Sequence, residues 1–124
     1  MKILITGVFG FIGQNIYQNL KDKYDIKGIG RNKKKSKIVK DNNLVNKIIT
    51  NQSLNRLNFI PDVILHCAGS GSVSKSYEDK KNDYNKNVIT TKNLLKFINN
   101  LKNKPLIIFF SSAAVYGNHC LKHK

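Results

Sequence analysis

Apolar and polar positions alternate along the chain in blocks that change period. Lys2 to Thr6 is a short apolar run that ends at Gly7, the pattern of a strand buried on both faces. From Phe11 to Leu20 the apolar residues Phe11, Ile12, Ile16, Tyr17 and Leu20 recur at helical spacing. Asp25 to Gly30 predicts a second strand and Leu44 to Thr50 a third, with a polar, basic stretch between them that reads as a weak helix. Pro61 introduces a fourth strand, Asp62 to His66. A long helical segment follows from about Tyr77 to Leu101, broken near Asp83, with Val88, Leu94, Leu95, Ile98 and Leu101 on its inner face. Pro105 opens a fifth strand, Leu106 to Phe110. Apolar strands alternating with helices predict an α/β fold, a doubly wound parallel sheet of about five strands covered on both sides.

A chain of 124 residues suits one domain with a single core. We take residues 1–117 as a single, incomplete domain and 118–124 as a short basic tail. No apolar run approaches the roughly 20 residues of a membrane helix, and the start lacks the apolar region and cleavage site of a signal peptide. Two cysteines, Cys67 and Cys120, are too few for a disulfide scaffold. These features predict a cytoplasmic protein.

Charge complicates the picture. Lys and Arg total 22 against 7 Asp and Glu, a net +15. Nucleic acid is the first partner such a balance suggests. The excess is nearly all Lys, however, and Asn is abundant too, as A-rich codons alone would give. The densest run, Lys33-Lys34-Lys35-Ser36-Lys37, lacks the aromatic residues of a base-stacking surface. A nucleic-acid-binding role therefore ranks last, while a phosphorylated small ligand remains a natural guest of a basic surface.

The glycines carry the first chemistry. Gly7, Gly10 and Gly13 follow the first strand and open the first helix. Such a turn lets the backbone approach a pyrophosphate, packs helix on strand, and offers uncapped N–H groups at the positive end of the helix dipole. The second strand then ends at Arg31, near the place where a carboxylate would bind the adenosine ribose hydroxyls. A guanidinium there suits a 2′-phosphate, so NADP is favoured over NAD.

Four segments together resemble the extended short-chain dehydrogenase/reductase family, in particular its NAD(P)-dependent nucleotide-sugar epimerases and dehydratases. They are Met1 to Gly13, Asp62 to Gly69, Asn87 to Leu95 (with Thr90 where Gly is usual) and Phe110 to Gly117. The resemblance implies a Rossmann fold in which Gly7, Gly10 and Gly13 hold the pyrophosphate, with backbone from Phe11 and Ile12. It further implies that Arg31 faces the adenosine 2′ position, that Ala68 and Gly69 line the cofactor, and that Ser112 is the catalytic Ser/Thr beside the reacting sugar. A nucleotide sugar and a homodimer are expected of the complete enzyme. Asn51 stands in a region where the family often places an Asp near adenine.

The family's Tyr-x-x-x-Lys pair follows the Val-Tyr-Gly loop, and this sequence ends at Lys124 before reaching it. The pairs Tyr17 with Lys21 and Tyr77 with Lys81 fit by letter but lie in the wrong crossovers. The expectation is the cofactor-binding N-terminal part of a longer enzyme, inactive alone and leaving the fifth strand as a sheet edge. The alternative is a non-catalytic NADP(H)-binding regulatory module. His119, Cys120 and His123 make too poor a set for a metal, and no metal is expected.

Overall fold

A computed structural model of the chain describes residues 1–31, 41–113 and 115–117. The weak helix expected before the third strand falls largely outside these residues, as do His119, Cys120 and His123. Five parallel strands, β1 (Lys2–Thr6), β2 (Asp25–Gly30), β3 (Leu44–Asn46), β4 (Val63–His66) and β5 (Leu106–Phe109), form one sheet in the order β3-β2-β1-β4-β5. The order reverses direction between β1 and β4, and at such a switch point the loops leave opposite faces and open a crevice at the carboxyl ends of the strands. This is the doubly wound Rossmann sheet the alternation predicts.

The period-two pattern of β1 explains why both faces are covered. Leu4 packs into one cluster with Ile29, Ile64, Leu54, Leu94, Phe97 and Ile98. Its neighbours Ile3 and Ile5 point the other way, to Val8, Tyr17, Ile26 and Leu65. Helix α1 (Phe11–Leu20) closes the second face, while α2 (Asn51–Asn55) and α5 (Thr90–Asn99) close the first. Between β4 and α5 the chain forms α3 (Val73–Glu78), α4 (Lys80–Tyr84) and a π-helical turn, Asn85–Ile89.

Several boundaries differ from the sequence pattern. The third strand stops at Asn46, and Thr50 instead caps α2: its hydroxyl accepts from the Ser53 N–H while the Ser53 hydroxyl accepts from the Thr50 N–H. That reciprocal cap uses Ser where Glu or Gln is the usual third-position partner, which is why α2 is silent in the sequence. The long helix breaks at Asp79, whose carboxylate accepts from the Asn82 N–H and starts α4. On α5 the inner face is Leu94, Phe97 and Ile98, while Leu95, beside Leu94, is exposed. Val88 is exposed too; it lies in the π turn itself, where a 3.6-residue period does not hold. β5 is the sheet edge, as expected, and all four of its residues are exposed.

Candidate active site

Two glycines of the β1–α1 turn cannot be exchanged. Gly7 has φ +71°, a conformation L residues resist, and a Cβ there would lie 2.6 Å from the backbone N of Ala68. A Cβ on Gly13 would lie 2.5 Å from the Gly7 carbonyl oxygen, so this glycine sets the close approach of α1 to β1. Gly10 is different. Its Cβ would meet only the Gly7 oxygen, at 3.2 Å, and Gly10 is exposed. It is the N-cap of α1 without a side-chain cap, and the first-turn N–H groups of a helix have no acceptor inside it. The turn thus presents bare backbone donors and the positive end of the α1 dipole to whatever sits in front of it.

What sits in front is a cleft of about 510 Å³. Gly7 and Gly10 form its floor with Phe9 and Gly30; Ala68 and Gly69 line it from the end of β4; Arg31 lines it from the end of β2. Five of the residues singled out in the sequence, Gly7, Gly10, Arg31, Ala68 and Gly69, therefore meet in one cavity. Phe11, Ile12 and Gly13 occupy the first turn of α1, directly behind Gly10. Gly13 is buried, while the side chains of Phe11 and Ile12 are exposed and contribute nothing to the core. Ser112 stands apart, exposed in the loop after β5, where its carbonyl accepts from the Val115 N–H; it does not line the cleft.

The wall at Ala68 and Gly69 is held by polar contacts that the hydrophobic pattern does not reveal. Asn87, on the π-helical turn, accepts from the Ser70 N–H at 2.8 Å and donates to the Asp83 carboxylate at 3.1 Å. Beneath it, His66 at the end of β4 bonds the Thr6 hydroxyl through Nδ1 at 2.6 Å and the Thr91 hydroxyl through Nε2 at 2.9 Å. The Thr91 hydroxyl spends its single proton on the Asn87 carbonyl, 2.7 Å away, so it accepts from His66. His66 is therefore the Nε2–H tautomer, and its Nδ1 accepts from Thr6. Burial pushes its pKa below the ordinary imidazole value, which keeps the ring neutral. Cys67 is half-buried with its thiol pushed up to about 11 by burial, the signature of an unreactive cysteine.

Three further residues noted in the sequence lie outside the cleft lining. Tyr17 is buried and donates to the Asp41 carboxylate; burial, with Asp41 adding to it, drives the phenol pKa upward, away from acid–base use. Tyr77 lies exposed on α3 with Lys81 on α4, away from the cleft. Asn51 does not reach the cleft either; it sits in the first turn of α2 with its side-chain oxygen buried and unpartnered. After β3 the cleft is lined by Lys47, Ile48, Ile49 and Thr50. Among the described residues no group of three or more His, Cys, Asp or Glu is placed to hold a metal ion, and no helix is long and apolar enough to cross a membrane.

The sequence model of the NAD dependent epimerase/dehydratase family matches residues 3–122. The chain belongs to this family. One relative, GDP-6-deoxy-D-talose 4-dehydrogenase of Aggregatibacter actinomycetemcomitans, is 32% identical over 118 residues, covering 94% of this chain and 37% of its own length. UDP-glucose 4-epimerase of Mycoplasma genitalium is 50% identical over 58 residues, 46% of this chain and 17% of that protein. Among solved structures, UDP-glucose 4-epimerase from Brucella ovis in complex with NAD superposes with a TM-score of 0.78 at 27% identity, covering 94% of this chain and 37% of that one. The chain thus spans well under half the length of the relatives it matches. It is similar to the NAD-binding part of these epimerases, and the glycine turn, the cleft and the carboxyl ends of β1, β2 and β4 are the portion of the family architecture in hand.

Proposed function

We propose that this chain is the cofactor-binding part of an NAD(P)-dependent nucleotide-sugar epimerase or dehydratase. The observation that carries the reading is the glycine cradle: a bare helix N-terminus, two glycines whose Cβ positions are already occupied by backbone, and a cavity directly in front. These residues fit a dinucleotide. Gly7, Gly10 and Gly13, with the Phe11 and Ile12 N–H groups, would hold the pyrophosphate. Ala68 and Gly69 would line the nicotinamide side. Arg31, standing where a carboxylate would select NAD, favours NADP. When bound, the nicotinamide supplies a hydride acceptor and donor for a sugar carbon; the chain's own residues bind it, orient it and keep water from one side.

Ser112 would hold the reacting sugar hydroxyl or carbonyl, in a protein that also brings a proton-transfer pair to the site. No such pair lines the cleft among the described residues. A second reading is a module that binds NADP(H) without turning it over. The two share the cleft and part on catalysis: turnover of a nucleotide sugar by the 124-residue chain would exclude the second.

Gly10 provides the test of the shared claim. Its backbone, at φ −78°, suits any residue, and its Cβ has room after a shift of a few tenths of an ångström. Gly10→Ala should keep the thermal midpoint nearly unchanged while weakening NADPH binding by about tenfold or more, the equivalent of about 1.4 kcal/mol. Binding that survives Gly10→Ala intact would remove the glycine turn from the site.

A further inference from the structure

Parallel pairing sets Gly30 of β2 opposite Asn46 of β3. The next residue of each strand, Arg31 and Lys47, therefore leaves the sheet at the same level, from strands about 5 Å apart. Both are exposed and both line the cleft. No Asp or Glu is among the described residues that line it. Two cations on neighbouring strand ends repel each other when no acid lies between them, and an anion that bridges them relieves that repulsion. Ile48, exposed beside Lys47 on the same wall, adds apolar surface of the kind a flat ring would cover.

We propose that Lys47 is a specificity-determining residue that acts with Arg31 to hold a phosphate on the 2′ position of the adenosine ribose. Arg31 offers a planar fork of N–H donors, and Lys47 adds a compact charge from the adjacent strand. The inference rests on the dinucleotide reading of the cleft and goes beyond it by assigning the third phosphate to a pair of residues on β2 and β3. A general basic field would behave differently: it would attract every anion alike and lose little when any one lysine is removed.

The test titrates the full chain and its variants with NADPH and NADH, and with adenosine 2′,5′-bisphosphate and 5′-AMP, which differ by the 2′-phosphate alone. Lys47→Ala should weaken NADPH and the bisphosphate about tenfold, as loss of one charge-assisted hydrogen bond implies, and change NADH and 5′-AMP less than about twofold. Lys47→Arg should restore the preference. Lys92→Ala, on the exposed face of α5 and outside the cleft, removes the same charge and should change nothing. Equal weakening of all four ligands, an unchanged NADPH affinity, or an equal effect of Lys92→Ala would each overturn the assignment to Lys47 while leaving the dinucleotide site standing. If the unaltered chain binds none of the four, the dinucleotide reading itself falls, and this assignment falls with it.

Discussion

At the scale of single residues, the site depends on atoms that are missing. Gly7 is held in a left-handed conformation with its absent Cβ pressed against Ala68, so Gly7→Ala combines backbone strain with a clash that neither neighbour can relieve. We expect a loss of about 2–5 kcal/mol in urea denaturation. Gly71→Ala, where a Cβ would meet nothing within 4 Å, should stay within about 0.5 kcal/mol. His66 makes a pH-dependent contribution whose sign follows from its environment. Its folded-state pKa is depressed by burial, so the unfolded chain takes up the proton first. The stability it provides is fully present above about pH 6.5 and declines as the pH falls through that value toward the lower folded-state pKa. Thermal midpoints should therefore drop between pH 7.5 and 5.5, and His66→Gln should flatten that slope; an undiminished slope would place the titrating group elsewhere. The glycine turn and the place of Arg31 at the end of β2 were legible because both are local to the sequence. The Thr6–His66–Thr91 chain was not, since it joins residues 60 and 25 positions apart through side chains that any surface could carry.

At the scale of elements, the strands read cleanly and the helices around the cleft did not. The strands are marked by short apolar runs, and β1, β2 and the start of β3 fall where those runs put them. The segment from residue 73 to residue 99 follows no single period: it is two short helices, a π turn and a longer helix. The π turn is functional geometry in the sense that it sets Asn87 against the Ser70 N–H and Thr91 against His66 together. Asn87→Ala should leave the Ser70 amide without its acceptor, cost about 1–2 kcal/mol, and accelerate hydrogen exchange at Ser70 well before β4. Asn87→Asp keeps the acceptor and should retain most of the protection. Equal exchange at Ser70 in the Ala variant and the unaltered chain would show that the wall at Ala68 and Gly69 does not depend on this contact. The resemblance had already marked Asn87 as part of a motif; only the folded chain gives the reason, a side-chain clamp on the cleft wall.

At the scale of the whole molecule, a well-covered half meets an open one. β1 and β2 are sandwiched between α1 on one face and α2 with α5 on the other. β5 carries Leu106, Ile107, Ile108 and Phe109, each between 36% and 63% exposed, on an uncharged edge of the sheet. Edges of this kind template further pairing and apolar association. Ile107→Lys should lower dye binding to exposed apolar surface and reduce self-association at high concentration, with little change in thermal midpoint. The apolar character of Leu106 to Phe110 announced this strand and its exposure together, once its place at the end of the strand order was inferred. The net charge of +15 was the least informative global quantity: its local expression is Arg31 and Lys47 on a cleft with no Asp or Glu among the described residues that line it.

The central claim is that the glycine turn at the start of α1 receives the phosphates of a dinucleotide. The most direct measurement is amide NMR of the labelled chain during titration with NADPH. The account predicts saturable shifts of the Gly10, Phe11, Ile12 and Gly13 amides, together with Arg31 and Gly69, at one common dissociation constant. Saturable binding that leaves the Gly10 to Gly13 amides unmoved, or no binding at millimolar ligand, would contradict it.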